Sequence, residues 1–314
     1  MNLFRKTKSG LKKIGHSTRQ IILPGFDGLT LYEVTQFFWQ GMKNGALTLR
    51  ASAIAYNFFL AVFPAIIVLF TLIPYIPIDN FQLVLMNFFR DILPENVYIV
   101  VESTIQEIVT RKRNDLLSFG FFLSIFFASG GIAALINAFN SSYHNVENRT
   151  WVKRQLISLL LVVIFCFLLS IAIMLIIFSG VLIDFFVARN LLTSKFIIAL
   201  LHNGKWLIIL SFTFFSISSL YYLAPARRKE FRFMSPGSIL ASLSIVITSV
   251  GFSAFINNFG QYNKLYGSIG TLIALLIWLF INSLVLLIGF ELNASIKTAK
   301  RSKTNSDPPV SEGV

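Results

Sequence analysis

Residues 156–183 read LISLLLVVIFCFLLSIAIMLIIFSGVLI, with no charge between Arg154 and Asp184. A helix needs about 20 apolar residues to cross roughly 30 Å of hydrocarbon, so this stretch is long enough with tilt to spare. Five more uncharged stretches lie between Arg50 and Asp79, Asp115 and Glu147, Lys205 and Arg227, Arg232 and Lys264, and Lys264 and Glu291. The expected spans are 51–74, 117–139, 156–183, 206–224, 236–258 and 267–290. Their apolar runs are continuous rather than alternating over ten-residue strands, which excludes a β-barrel. Mean hydropathy of +0.72 and 55% hydrophobic residues agree. The fold class is an all-α integral membrane protein, a six-transmembrane-helix bundle.

Charge sets the orientation. With the N-terminus placed inside, 19 of the 27 Lys and Arg fall in cytoplasmic segments, and the whole excess of positive charge sits on that side. This is the positive-inside pattern, with both termini cytoplasmic. Arg111-Lys112-Arg113 is the exception, in an outer loop of about 40 residues, where distance from the helix ends weakens the rule. The sequence pI of about 10.0 therefore reports topology. Its basic residues are dispersed over four segments rather than built into one face, so no nucleic acid partner is expected.

Residues 1–28 read as a basic cytoplasmic arm. From 29 to 47, Leu29, Tyr32, Val34, Phe37, Phe38, Gly41 and Met42 recur near helical spacing, with Glu33, Gln36, Gln40 and Lys43 between them. That pattern predicts an amphipathic interfacial N-terminal helix. The membrane domain extends over 29–300 and carries an outer helical loop, 75–115, with a Val97, Val101, Ile105, Ile108 stripe. The tail, 301–314, has a disordered composition. No cleavable signal peptide is apparent, so the first span is expected to act as the insertion signal. Cys166 is the single cysteine, which excludes an intramolecular disulfide.

Catalytic chemistry finds little footing. His16, His144 and His202 fall in three separate segments with no partners at metal-ligand spacing. No zincin, nucleophile-elbow, P-loop or dinucleotide motif is present. The expectation is no catalytic residue, no metal and no cofactor. Ser129-Gly130-Gly131 reads as small-residue helix packing.

Polar groups within or near the spans carry the information, because hydrocarbon supplies them with no partners. At the inner level lie Arg50 and Asn57 in the first span, Asn137, Asn140 and Tyr143 at the end of the second, and Glu291 with Asn293 in the last. At the outer level Asn258, Tyr262, Asn263 and Tyr266 crowd the turn between the fifth and sixth spans. Asn282 sits between the two levels. Pro64 frees a backbone carbonyl and is expected to bend or break the first span. Glu291 has two readings: an interfacial carboxylate paired with a base such as Arg50 or Arg154, or a group that takes part in substrate or proton movement.

Several of these blocks resemble the YihY/BrkB family of bacterial inner-membrane proteins. Ala51-Ser-Ala-Ile-Ala-Tyr-Asn57 with Phe63-Pro64 is similar to its first-span motif. Asn137-Ala-Phe-Asn140-Ser-Ser-Tyr143 through Glu147, Arg149, Trp151 and Arg154 resembles the loop from second to third span. Tyr222 through Pro225, with Arg227-Arg228 and Pro236-Gly237, is similar to the exit from the fourth. Asn258 to Gly270, then Trp278 and Gly289-Phe-Glu291-Leu-Asn293-Ala294, resembles the family's closing signature. The resemblance covers about residues 30–300 and implies six spans with both termini inside. One branch of that family bears a serum-resistance name, another is connected with export of lipid A precursors, and members were long labelled ribonuclease BN. These residues offer the ribonuclease label no acid or histidine cluster. Phe290, following Gly289, departs from the small residue often found before the glutamate.

Together these features point to a transporter or flippase for an amphipathic, anionic lipid-linked envelope substrate. Arg50, helped by Arg154 or Arg227, would attract the headgroup. Asn57, Asn282 and Glu291 would provide the polar path, and Asn258, Tyr262 and Asn263 the exit. The partners expected are membrane lipids and that substrate, with a homo-oligomer left open. The alternatives are a non-transporting membrane scaffold for envelope partners and an intramembrane enzyme using Glu291.

Overall fold

The computed structural model describes residues 24–44, 46–72, 74, 113–142, 149–189, 203–226, 232–257 and 268–306. Most of the basic arm, most of the outer loop 75–115 and the tail from 307 lie outside the described residues. Seven helices are described: α1 (Leu31–Asn44), α2 (Leu47–Leu72), α3 (Asn114–Ser142), α4 (Trp151–Ala188), α5 (Lys205–Leu223), α6 (Pro236–Asn257) and α7 (Ser268–Ser306). No strand occurs among the described residues. The six helices from α2 to α7 are long and apolar enough to cross a membrane, and each coincides with an expected span. Their outward surface is what an aqueous protein avoids: on α4 Phe167 is 65% exposed and Met174 69%.

Two helices differ from expectation. Pro64 is buried inside α2, which continues unbroken to Leu72, so of the expected bend or break the break does not occur. One missing N–H and one steric conflict with the preceding turn do not end a helix whose remaining backbone groups have no partner in hydrocarbon except each other. In the last helix, hydrogen bonding runs on to Ser306, past the boundary that composition places at 300. Its 39 residues give about 58 Å at 1.5 Å per residue, so α7 extends well beyond a bilayer core.

The chain divides into two compact units. The smaller, 56–131, packs the later part of α2 on the first part of α3. Glycines permit that approach: a Cβ on Gly131 would lie 3.0 Å from the Phe58 ring, and one on Gly120 3.2 Å from Ile67. The small-residue motif in α3 is therefore a packing surface.

The larger unit holds α1, the first turns of α2, the end of α3, and α4 to α7. Its centre is aromatic. Phe290 stacks on Phe139 at 4.1 Å, and Tyr221 meets both rings edge-on at 5.5 and 5.6 Å. The bulky residue before Glu291 thus fills the middle of the bundle. Beside it α6 and α7 touch backbone to backbone at Gly237 and Gly289, where a Cβ on either residue would strike the other's carbonyl oxygen.

α1 begins with a reciprocal cap. Thr30 N–H and Oγ1 donate to Glu33 Oε2 at 2.8 and 2.9 Å, and Glu33 N–H donates to Thr30 Oγ1 at 3.3 Å. The backbone hydrogen bond from Thr30 holds the Glu33 carboxyl below the usual glutamate range, burial opposes this, and Lys303 helps. A carboxyl depressed in the folded state stabilises at neutral pH, and that contribution disappears as pH falls below the usual glutamate range. Thr30→Ala is expected to cost about 1 kcal/mol of helix stability. Amide exchange over residues 31–36 should accelerate accordingly, while unchanged exchange would assign the cap no energetic role.

One face of α1 packs into a cluster with α7. Phe26, Leu29 and Val34 bury against Ile296 and Ala299, flanked by Leu31, Phe37 and Leu292. The opposite face keeps Trp39 exposed, with the Lys43 ammonium 5.7 Å over its ring. The amphipathic helix therefore rests its apolar face on protein and turns an aromatic and basic face outward.

Candidate functional site

At one end of the larger unit the helices bring together polar groups far apart in sequence. Glu291 lies within α7, 4% exposed, and its carboxylate sits directly against Gly41 of α1. A Cβ on Gly41 would occupy the space of the carboxylate, so the α1 backbone reaches Glu291 only because residue 41 has no side chain. Arg50, in the first turn of α2, is half-buried and within electrostatic reach of Glu291. Its Nη1 also donates to the Ala138 carbonyl at 2.8 Å, tying α2 to the last turns of α3. Arg50 and Glu291 are thus brought together.

The other inner-level residues join helix ends. Arg154 Nη1 donates to Asn137 Oδ1 at 3.0 Å, joining the start of α4 to an exposed position on α3. Asn140 is buried and its Oδ1 accepts from Ala226 N–H at 3.0 Å. Arg149 Nη2 donates to the Ala224 carbonyl at 2.6 Å, so the chain beyond α5 is held at both a donor and an acceptor. Tyr221 donates its hydroxyl to the Leu286 carbonyl at 2.6 Å. Asn293 accepts from Gly237 N–H and donates to Ser235 Oγ, each at 2.8 Å, and Ser235 and Ser238 cap α6 reciprocally.

Asn282 behaves differently. Its Nδ2 donates to Trp278 carbonyl one turn back, and its Oδ1 is buried without a partner among the described residues. Asn57 and Pro64 belong to the smaller unit, where Asn57 lies near Gly130. Tyr143, Arg227, Asn258, Tyr262, Asn263 and Tyr266 lie outside the described residues, and with them the expected outer mouth.

Sequence reasoning passed over Gly41, Arg149, Gly237 and Gly289 as site-building residues. A signal for Gly41 exists, because a glycine inside an amphipathic helix costs stability and is retained where a backbone must approach something closely. Among the described residues no three His, Cys, Asp or Glu side chains stand close enough to hold a metal ion. An apolar cleft of about 350 Å³ opens between α5 and α6, lined by Leu210, Phe214, Phe215, Ile239 and Leu243.

Residues 38–312 match the family described as virulence factor BrkB. The chain belongs to the BrkB family. The match runs from the middle of α1 through α7, so Gly41, Arg50, Asn137, Arg154 and Glu291 all fall within the BrkB region. A relative named as the ribonuclease-like protein YfkH of Bacillus subtilis is 30% identical over 264 residues, covering 83% of this chain and 93% of YfkH. A UPF0761 membrane protein of Xanthomonas campestris is 24% identical over 274 residues, covering 83% of this chain and 60% of that protein. A shorter stretch of 77 residues is 35% identical to a UPF0761 membrane protein of Pseudoalteromonas translucida. No solved structure matches. This BrkB family member is a multi-pass membrane protein, with six helices among the described residues long and apolar enough to span a bilayer.

Proposed function

We propose that this BrkB family member moves an amphipathic, anionic lipid-linked envelope substrate between the leaflets of the bacterial inner membrane, with both termini in the cytoplasm. The observation that carries this reading is Glu291. A buried carboxylate in a membrane-spanning helix, set beside Arg50, is expensive to maintain and is by default a functional group. Support for an amphipathic substrate comes from the apolar cleft between α5 and α6, which suits an acyl chain. Support for an anionic headgroup comes from Arg149, Lys153 and Arg154 near the start of α4, with Trp151 exposed among them. Because Arg50 already serves Ala138 and Glu291, the first contact with the headgroup falls to Arg154 and, beyond the described residues, Arg227. In this reading the chain is not an enzyme, and the ribonuclease-like name stays with its relative.

Reconstitution into liposomes tests the reading. Fluorescent anionic lipids are expected to exchange leaflets faster than in empty liposomes, and zwitterionic lipids less so. Glu291→Gln should lower the anionic rate about tenfold, a barrier increase of about 1.4 kcal/mol. Glu291→Asp, which keeps the charge, should recover part of it. Wild-type exchange at the empty-liposome rate for anionic and zwitterionic lipids alike would sink the proposal and favour a scaffold for envelope partners.

A further inference from the structure

We propose that the segment from Pro24 to Asn44 is a releasable strap, with α1 as the cover that separates the Glu291 carboxylate from the aqueous phase. This inference rests on the functional reading of Glu291 and adds the device that controls access to it. Four observations carry it.

First, the cover over Glu291 is the backbone of another element. At Gly41 the helix lies directly on the carboxylate, so displacing α1 uncovers the acid without moving α7. Second, the strap is held at its near end by charge. Asp27 Oδ1 pairs with Arg232 Nη1 at 2.9 Å and its Oδ2 with Lys300 Nζ at 3.1 Å, joining the strap to the approach to α6 and to α7. Arg232 and Lys300 are 67% and 55% exposed, so this clasp stands in water and is weakened by salt.

Third, the backbone is strained at both ends. Asp27 has φ 54° and Ala46 φ 43°, left-handed conformations that L residues adopt at a cost. Gly25 and Gly28 supply two more left-handed turns, so the strap enters and leaves through tight corners rather than continuous helix. Fourth, the apolar anchor is local. Phe26, Leu29 and Val34 pack on Ile296 and Ala299, with Leu31, Phe37 and Leu292 partly buried beside them, and a segment held at one such cluster can open without the whole protein unfolding.

The outward face of the strap, with Trp39 and Lys43 exposed, meets the headgroup layer, so the same helix that covers the acid stands where a lipid headgroup arrives. Opening admits water to Glu291, and closing returns the carboxylate to a dry site.

Thiol accessibility tests this on the full-length chain in liposomes, on a Cys166→Ala background. Ser295→Cys places a small reporter one turn beyond Glu291 on the same α7 face, at a position only 4% exposed. Ser283→Cys, 3% exposed and two turns before Glu291, reports on the bundle interior. With a membrane-impermeant maleimide, Asp27→Asn is expected to speed labelling at position 295 about fivefold. Gly41→Ala, which pushes α1 off the carboxylate, should do the same, and labelling at position 283 should stay unchanged. Raising salt should speed labelling of the parent but not of Asp27→Asn. Unchanged labelling at 295 in both variants would overturn the strap, as would labelling at 283 rising in step with 295, which would signal general unfolding. The readout needs no transport, so a strap that opens in a protein without lipid exchange overturns the proposed function alone.

Discussion

Gly289→Val is expected to destabilise the protein more than any other single substitution considered, by about 3 kcal/mol or more. A Cβ at residue 289 would lie 2.6 Å from the Tyr221 hydroxyl and 2.7 Å from both Ala241 Cβ and Gly237 oxygen. Two of those obstacles are fixed, one a backbone carbonyl and one a methyl on the facing helix. The third is a hydroxyl held by its bond to Leu286. No neighbour can swing aside, so α6 and α7 must separate, and overpacking of this kind typically costs 1–3 kcal/mol before any hydrogen bond is lost. Separation also threatens the Asn293 bond to Gly237 N–H, whose loss leaves a buried donor unmade at about 1–3 kcal/mol. Thermal denaturation in detergent, followed by loss of the monodisperse peak in size exclusion, reads the effect. Gly251→Ala is the control, since a Cβ there meets nothing within 4 Å. It should be neutral or gain up to about 1 kcal/mol from helix propensity. Equal midpoints for Gly289→Val and wild type would remove the backbone contact from the account of the fold.

Arg50→Met should also be damaging, for an electrostatic reason. It leaves the buried Glu291 without the opposite charge of Arg50; breaking a fully buried pair costs about 3–5 kcal/mol, and because Arg50 is only half-buried the expected loss is about 2 kcal/mol. The double variant Arg50→Met with Glu291→Met removes both charges and should regain most of that loss, because apolar replacements of buried pairs are often neutral or stabilising. The two costs should therefore be strongly non-additive in the same denaturation assay. Function separates from stability at this point. The stable double variant is expected to exchange anionic lipids at the empty-liposome rate, since the carboxylate is gone. A double variant that is both stable and active would make Glu291 and Arg50 a structural pair only, and the proposed function would lose the residue that carries it.

Much of this architecture is readable from the chain because membrane insertion is decided by local sums. Each of the six spans declares itself through some twenty consecutive residues, whatever the rest of the molecule does. The start of α1 is also set locally, by the Thr30–Glu33 contacts three residues apart, although the periodicity over 29–47 does not single that cap out. Composition places the tail at 301–314, and α7 runs on through Ser306. Within it Leu292, Ile296 and Ala299 keep an apolar stripe that packs against α1. Pro64 does not end α2, because the penalty of one proline is local, but the pressure to keep every other backbone group bonded comes from the surrounding hydrocarbon.

The number of crossings, their positions and the amphipathic character of α1 follow from composition and periodicity, which need no knowledge of partners. Pairing of those helices does not, because it rests on contacts between residues widely separated in the chain. Tyr221 reaches Leu286 across 65 positions, and Asn293 reaches Gly237 across 56. The meaning of Gly41 depends on Glu291 lying against it, and nothing near residue 41 announces a carboxylate 250 positions away. Local sequence specifies which segments leave water, since that free energy is additive along the chain. Packing specifies which of them meet, since two backbones approach only where both lack side chains at the same point.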